Sequence, residues 1–339
     1  MTSGVSLEIL DLRHFNGSLL RPLLDAEGEV WRQRLHWDYG ASARLLMQYL
    51  DSRMLPGYAA LENGRVTGYA FCVYEEAKAV IGDVFAMAGE SPNGSGRLVA
   101  ANGEQPQPPL EVEERLLNHL FETLQNSPQT DRIEAQLLMH PAGAHTRVFR
   151  EAGFDLYRRL FMVQPLEPRH DAPRPEMPRE LELRPWRDDD LSVAGRLISE
   201  AYADHPDSLI NDQYRSPHGS MRFLHNIVRY AGCGTFSPQV SHVVCERASR
   251  EMVAVVLGSR VSAGSGHITQ LCVRTQYRRR GLARLLLAVA AGEFWRQGMR
   301  EVSLTVTEAN TRAIELYRSE GYECRHMFDA AVWRRARIA

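Results

Sequence analysis

The stretch that decides the fold runs from 267 to 284: His267-Ile-Thr-Gln-Leu-Cys-Val273, then Arg274-Thr-Gln-Tyr277, then Arg278-Arg-Arg-Gly-Leu-Ala-Arg284. Its first seven residues predict a strand. After Gly281, residues Leu282, Leu285, Leu286, Val289 and Ala290 recur at the i, i+3, i+4, i+7 spacing of an amphipathic helix. A strand that turns through glycine into a helix start suits a phosphate. The first turn of a helix offers free backbone N–H groups and a partial positive charge, and glycine lets that backbone approach a pyrophosphate without a Cβ in the way. Arg278, Arg279 and Arg280 add charge at the same place.

Upstream of this stretch the spacing predicts helices over 188–203 and 216–230 and strands over 243–246, 252–261 and 267–273, the last three rich in Val and Ile. Downstream it predicts a strand over 302–306 and a short helix over 310–320, stopped by Gly321 in a left-handed cap. In that short helix Ala313 and Tyr317 are four residues apart and share a face, which aims a phenolic hydroxyl at a fixed depth.

Further out, Gln164 to Glu180 carries prolines at 165, 168, 173, 175 and 178, which excludes regular helix and predicts an extended spacer. The chain therefore divides into 1–164, a linker over 165–180, and 181–339. The first part repeats the ending of the second: Phe149-Arg-Glu-Ala-Gly-Phe154 lies 168 positions before Tyr317-Arg-Ser-Glu-Gly-Tyr322. This predicts a duplication of a whole domain. At the same offset Tyr317 becomes Phe149, Asn310 becomes Ala142 and Gly281 becomes Glu113, and Glu111, Glu113 and Glu114 would repel an anion. The first copy is expected to keep the fold and to have lost the anion site. Its Gly89–Pro109 stretch has no counterpart in the second copy and is expected to be a long mobile loop.

Composition bounds the function. The 339 residues include 44% hydrophobic and 24% charged residues, enough apolar content for two ordinary cores. A formal charge of −2 lacks the basic excess of a nucleic-acid binder. The five cysteines are scattered, without the paired spacing of a zinc site or a disulfide framework, so no metal is expected and a reducing cytoplasm fits. No window reaches about 18 uninterrupted apolar residues, so no membrane partner is expected.

Arg278, Gly281 and Ala283, followed by Asn310, Ala313, Tyr317, Gly321 and Tyr322, resemble the acetyl-CoA signature and the downstream pattern of the GNAT superfamily of N-acetyltransferases. The resemblance covers Leu181 to Arg335 in element order and Ile268 to Tyr322 in motif. It implies an α/β (α+β) architecture of two GNAT-like domains in tandem, each a mixed, mostly antiparallel twisted sheet flanked by helices. It implies acetyl-CoA as cosubstrate and direct attack by an amine of a small molecule, a peptide N-terminus or a lysine. Backbone groups of Leu271, Cys272 and Val273 would hold the pantetheine arm and the acetyl carbonyl. The N–H groups of Arg279, Arg280, Gly281, Leu282, Ala283 and Arg284 would cradle the pyrophosphate. Asn310 and Ala313 would line the pantetheine, and Tyr317 would protonate the leaving thiolate. His267 stands where several members carry a glutamate base; Glu246, Glu308 and water are the alternatives. Against catalysis stand an acyl-CoA sensor without turnover and an assembly module.

Overall fold

The computed structural model describes residues 7–87, 110–168, 177–229 and 234–336. The Gly89–Pro109 stretch and the middle of the proline-rich spacer lie outside them. Along the chain the elements begin with β1 (Leu7–Asp11), α1 (Gly17–Leu35), α2 (Gly40–Asp51), β2 (Gly57–Glu62), β3 (Arg65–Glu75) and β4 (Lys78–Ala86). Then come α3 (Leu110–Asn126), β5 (Arg132–Gln136), α4 (Thr146–Glu151) and β6 (Asp155–Pro165). The later part holds β7 (Leu181–Pro185), α5 (Leu191–Ala201), α6 (Asp207–Ile210), α7 (Pro217–Arg229), β8 (Thr235–Phe236), β9 (His242–Glu246) and β10 (Met252–Arg260). It ends with β11 (Ser265–Val273), α8 (Leu282–Arg296), β12 (Glu301–Thr307), α9 (Thr311–Ser319) and β13 (Glu323–Arg334).

These elements form two compact units that are not sequential halves. The first holds the described residues up to Trp31, Ser42–Leu156 and the chain from Phe328 onward; the second holds Arg32–Ala41 and Tyr157–Met327. In the first unit β1, β2, β3 and β4 pair antiparallel in order, β4 pairs β5 in parallel, and β13 closes the sheet antiparallel to β5. In the second unit β7, β9, β10 and β11 pair antiparallel, β11 pairs β12 in parallel, and β6 closes the sheet antiparallel to β12. The two pairing schemes are the same, with one parallel pair in each mostly antiparallel sheet. The closing strands, however, come from the opposite ends of the duplication, since β6 follows the first copy and β13 the second.

The parallel pair positions everything else. Between β11 and β12 it runs only from Ser265–Glu301 to Ile268–Leu304, yet β11 continues to Val273 and β12 to Thr307. Beyond Ile268 the strands part, leaving the β12-facing backbone edge of Thr269–Val273 without a strand partner. The first unit copies this closely: β4 pairs β5 only from Lys78–Arg132 to Ile81–Ala135 and then continues to Ala86. Strand for strand, Lys78 matches Ser265 and Ala86 matches Val273, an offset of 187. After the helix, Gly153 and Gly321 are 168 apart, because the chain between β4 and α3 is longer than that between β11 and α8. The single offset of 168 therefore misplaces the helix start. Glu113 is the fourth residue of α3 and matches Leu285, not Gly281.

Helix α8 is buried more broadly than an amphipathic stripe predicts: Leu287 and Ala291 are buried along with Leu282, Leu285, Leu286, Val289, Ala290 and Phe294. Much of it packs with Val256, Ile268, Val302, Leu304 and Tyr322 in one core cluster. Each such large aliphatic or aromatic side chain contributes roughly 1.5–3 kcal/mol. Gly266 of β11 makes room for this helix, because a Cβ there would lie 2.5 Å from Cε1 of the fully buried Phe294. Gly266→Ala should overpack the contact and cost about 1–3 kcal/mol. Thermal unfolding of the purified variant checks this, and an unchanged Tm would show that Phe294 can yield.

Candidate functional site

Gly281 precedes α8 with φ +78°, the left-handed region that glycine enters freely, and no side chain caps the helix. The first intrahelical bond runs from the Leu285 amide to the Gly281 carbonyl. None of the backbone N–H groups from Arg279 to Arg284 is bonded within the protein among the described residues. Six consecutive free amides at a helix N-terminus form an anion cradle. The splayed backbone of Thr269–Val273 leads directly into it.

The arginines divide their work. Arg278 does not face the cradle as a free charge; its guanidinium donates to the Val273 carbonyl at 3.2 Å and the Ala201 carbonyl at 2.9 Å, tying β11 to the end of α5. Arg280 lies over the Tyr277 ring at 5.1 Å and 3.5 Å from Glu180, and Arg284 pairs with Glu320 at 2.5 Å. Arg279 has its backbone at φ +66°, and among the described residues its side chain makes no ion pair.

Across the opening, Asn310 caps α9 by accepting from the Ala313 amide at 3.3 Å and meets His205 Nε2 at 2.9 Å. Tyr317 projects from the same helix and packs at the core margin with Ala313. Burial raises its phenol well above the ordinary tyrosine value, reinforced by Asp207, so it stays protonated at neutral pH. Asp207 is anchored by the Thr307 hydroxyl and by Arg159 at 3.7 Å, so it is not a free acidic group for a cationic acceptor. Tyr202 stacks against His205 and Tyr214 with centroids 4.6 and 4.5 Å apart. The acidic segment around Asp207 gives no sign in the sequence that it would meet Arg159 and Thr307, which lie more than 40 residues from it.

His267 is a core residue rather than a base poised at the site. It is 5% exposed, lies edge-on to Trp37 at 4.9 Å and parallel to Phe161 at 6.3 Å. Ser303 Oγ gives its proton to the Gly266 carbonyl, so His267 Nδ1 donates to Ser303 Oγ at 2.9 Å. Burial, with Arg159 adding repulsion, pushes its pKa down to about 3. A conjugate acid that strong makes the ring a poor proton acceptor at neutral pH. Glu246 is held below the usual carboxylate range by hydrogen bonds from Ser249 and Tyr277. Burial pushes the Cys272 thiol up to about 12, which leaves it protonated and a weak nucleophile.

Residues 182–322 match the model of the Acetyltransferase (GNAT) family. They form a GNAT acetyltransferase domain. Over the whole chain, the fold is similar to a GCN5-related N-acetyltransferase from Sphaerobacter thermophilus, with 17% identity, TM-score 0.61, and coverage of 97% of this chain and 95% of that one. It is also similar to a tandem GNAT protein from the clavulanic acid biosynthesis pathway, with 14% identity, TM-score 0.55 and coverage of 97% and 98%. A glucosamine N-acetyltransferase region of a fungal multi-domain beta-N-acetylglucosaminidase superposes at TM-score 0.61 with 12% identity, covering 98% of this chain and 38% of that one. No curated protein matches the sequence. The two sheets thus share the fold of a tandem GNAT protein, and the α/β expectation of the sequence holds in both. Among the described residues no helix is long and apolar enough to cross a membrane.

The burial of His267 in the GNAT domain has a consequence for stability. The folded chain resists protonating it until about pH 3, whereas an unfolded histidine takes up its proton near pH 6.5. Its contribution is therefore complete above about pH 6.5 and is lost as pH falls from there toward 3. Thermal unfolding between pH 7 and 4 should show a steeper fall in Tm for wild type than for His267→Gln. Parallel curves would mean that the ring is not held neutral.

Proposed function

We propose that the GNAT domain of the second unit transfers the acetyl group of acetyl-CoA to a primary amine by direct attack. The observation that carries this reading is the run of unbonded amides from Arg279 to Arg284, placed where β11 and β12 part. The pyrophosphate would sit on those amides with Arg279 beside it. The pantetheine would run antiparallel to the open edge of Leu271–Val273 as an added strand, and Asn310 and Ala313 would flank it. The acetyl carbonyl would then lie at the parting of the strands, polarised by backbone N–H.

Direct attack fits the side chains. The Cys272 thiol, at about 12, is too weakly acidic for an acetyl-cysteine intermediate. Tyr317, kept protonated by burial, is a suitable donor to the departing thiolate. The acceptor amine loses its proton through water rather than to His267, which is sealed in the core. Four free cysteines among the described residues agree with a reducing, cytoplasmic setting.

The first unit is proposed not to bind acetyl-CoA. The counterparts of Leu271 and Val273 are Val84 and Ala86, whose carbonyl and amide are already taken by side chains: His140 Nε2 meets the Val84 carbonyl at 2.8 Å and Glu113 accepts from the Ala86 amide at 3.2 Å.

Calorimetric titration of acetyl-CoA should give one site per chain. Gly281→Glu strains a left-handed position and adds a carboxylate beside the amides, and should weaken binding by at least about tenfold. Two sites, or an unaffected variant, would refute the placement. Tyr317→Phe should bind acetyl-CoA normally yet release thiol, in the presence of an amine, at least about tenfold more slowly. Equal rates would remove the general-acid role; no thiol release from wild type with any amine of a broad panel would favour a sensor.

A further inference from the structure

We propose that Glu113, His140 and His145 of the first unit form a binding site for a divalent transition-metal ion, zinc in the first instance. The three side chains are 0%, 4% and 4% exposed. Glu113 Oε2 lies 3.2 Å from His145 Nε2 and 3.6 Å from His140 Nδ1, and those two ring nitrogens are 3.3 Å apart. A tetrahedral zinc ion with bonds of about 2.0–2.1 Å holds neighbouring ligand atoms about 3.3–3.4 Å apart. The triangle on the protein already has that size.

The outer contacts aim the ligand atoms. The Val84 carbonyl can only accept, so His140 carries its proton on Nε2 and turns a lone pair on Nδ1 toward the centre. Glu113 spends Oε1 on the Ala86 amide and turns Oε2 inward. The His145 ring lies at 64° to that of His140, centroids 4.8 Å apart. A divalent cation held by these three atoms would add charge-assisted bonds to the buried carboxylate and both rings. His140 and His145 also line a small pocket with Pro141, Thr146 and Asp329, from which a water would supply the fourth ligand.

The location gives the site a history. In the second unit the end of β11, the first turn of α8 and the approach to α9 surround the open backbone. In the first unit the matching places carry Val84 and Ala86, Glu113, and His140 with His145, the last standing as the residue before α4 just as Asn310 stands before α9. The duplicated opening is thus refilled by a carboxylate and two imidazoles. The expectation of no metal rested on cysteine spacing and could not register ligands drawn from two separate elements.

The test uses the full chain, stripped with a chelator and dialysed. Zn2+ titration should show one equivalent bound with a raised Tm, and Co2+ should give the intense visible bands of a tetrahedral complex. His145→Ala should weaken Zn2+ binding by at least about 100-fold and abolish the Co2+ bands. Glu113→Gln retains an acceptor for the Ala86 amide and should stay folded by circular dichroism while binding more weakly. The proposal falls if folded wild type takes up no Zn2+, or if His145→Ala and Glu113→Gln keep the full equivalent and the Co2+ spectrum.

Discussion

Four residue pairs of parallel sheet, Ser265–Ile268 against Glu301–Leu304, set the geometry on which the second unit depends. Had the pairing continued, every backbone group of β11 would be satisfied within the sheet and no cosubstrate could add to it. Because it stops, β11 carries an open edge straight into a helix start whose amides are also open. The helix cannot shift to close the gap, since Leu282, Leu286, Ala290 and Phe294 fix it in the core. Gly281 and Gly266 serve this arrangement from opposite ends, one by turning the chain, the other by admitting Phe294.

Much of this was legible in the sequence because it is encoded locally. The strand, the glycine and the apolar spacing of 267–296 are contiguous, as are Asn310, Tyr317 and Gly321, and the repeated helix–glycine–aromatic ending exposes the duplication. What was not legible depends on burial and on distant partners. The parity of His267 along its strand says nothing of Trp37 and Phe161, which reach it from far away in the chain and bury it. Three adjacent arginines look equivalent in sequence, yet Arg278 braces the main chain and Arg280 is paired, while Arg279 makes no ion pair among the described residues. A fixed repeat offset also fails once a connection changes length, which is how Glu113 was set against Gly281 instead of Leu285.

The two copies show how one backbone solution tolerates opposite chemistry. Where strands part, the second unit leaves its backbone open, while the first meets the same groups with its own side chains. Polar side chains buried for that purpose are close together by necessity, since they converge on a gap one strand wide.

The crossing of closing strands has a further consequence for how the chain is made. The sheet of the first unit is completed by β13, which lies beyond all of β7 to α9 in the chain. A ribosome must therefore deliver the whole of that second copy before the earlier one can seal its edge beside β5. Until then β5 presents unsatisfied hydrogen-bonding groups to any passing strand, so this duplication has traded the vectorial, domain-by-domain folding open to most tandem proteins for a single late closure.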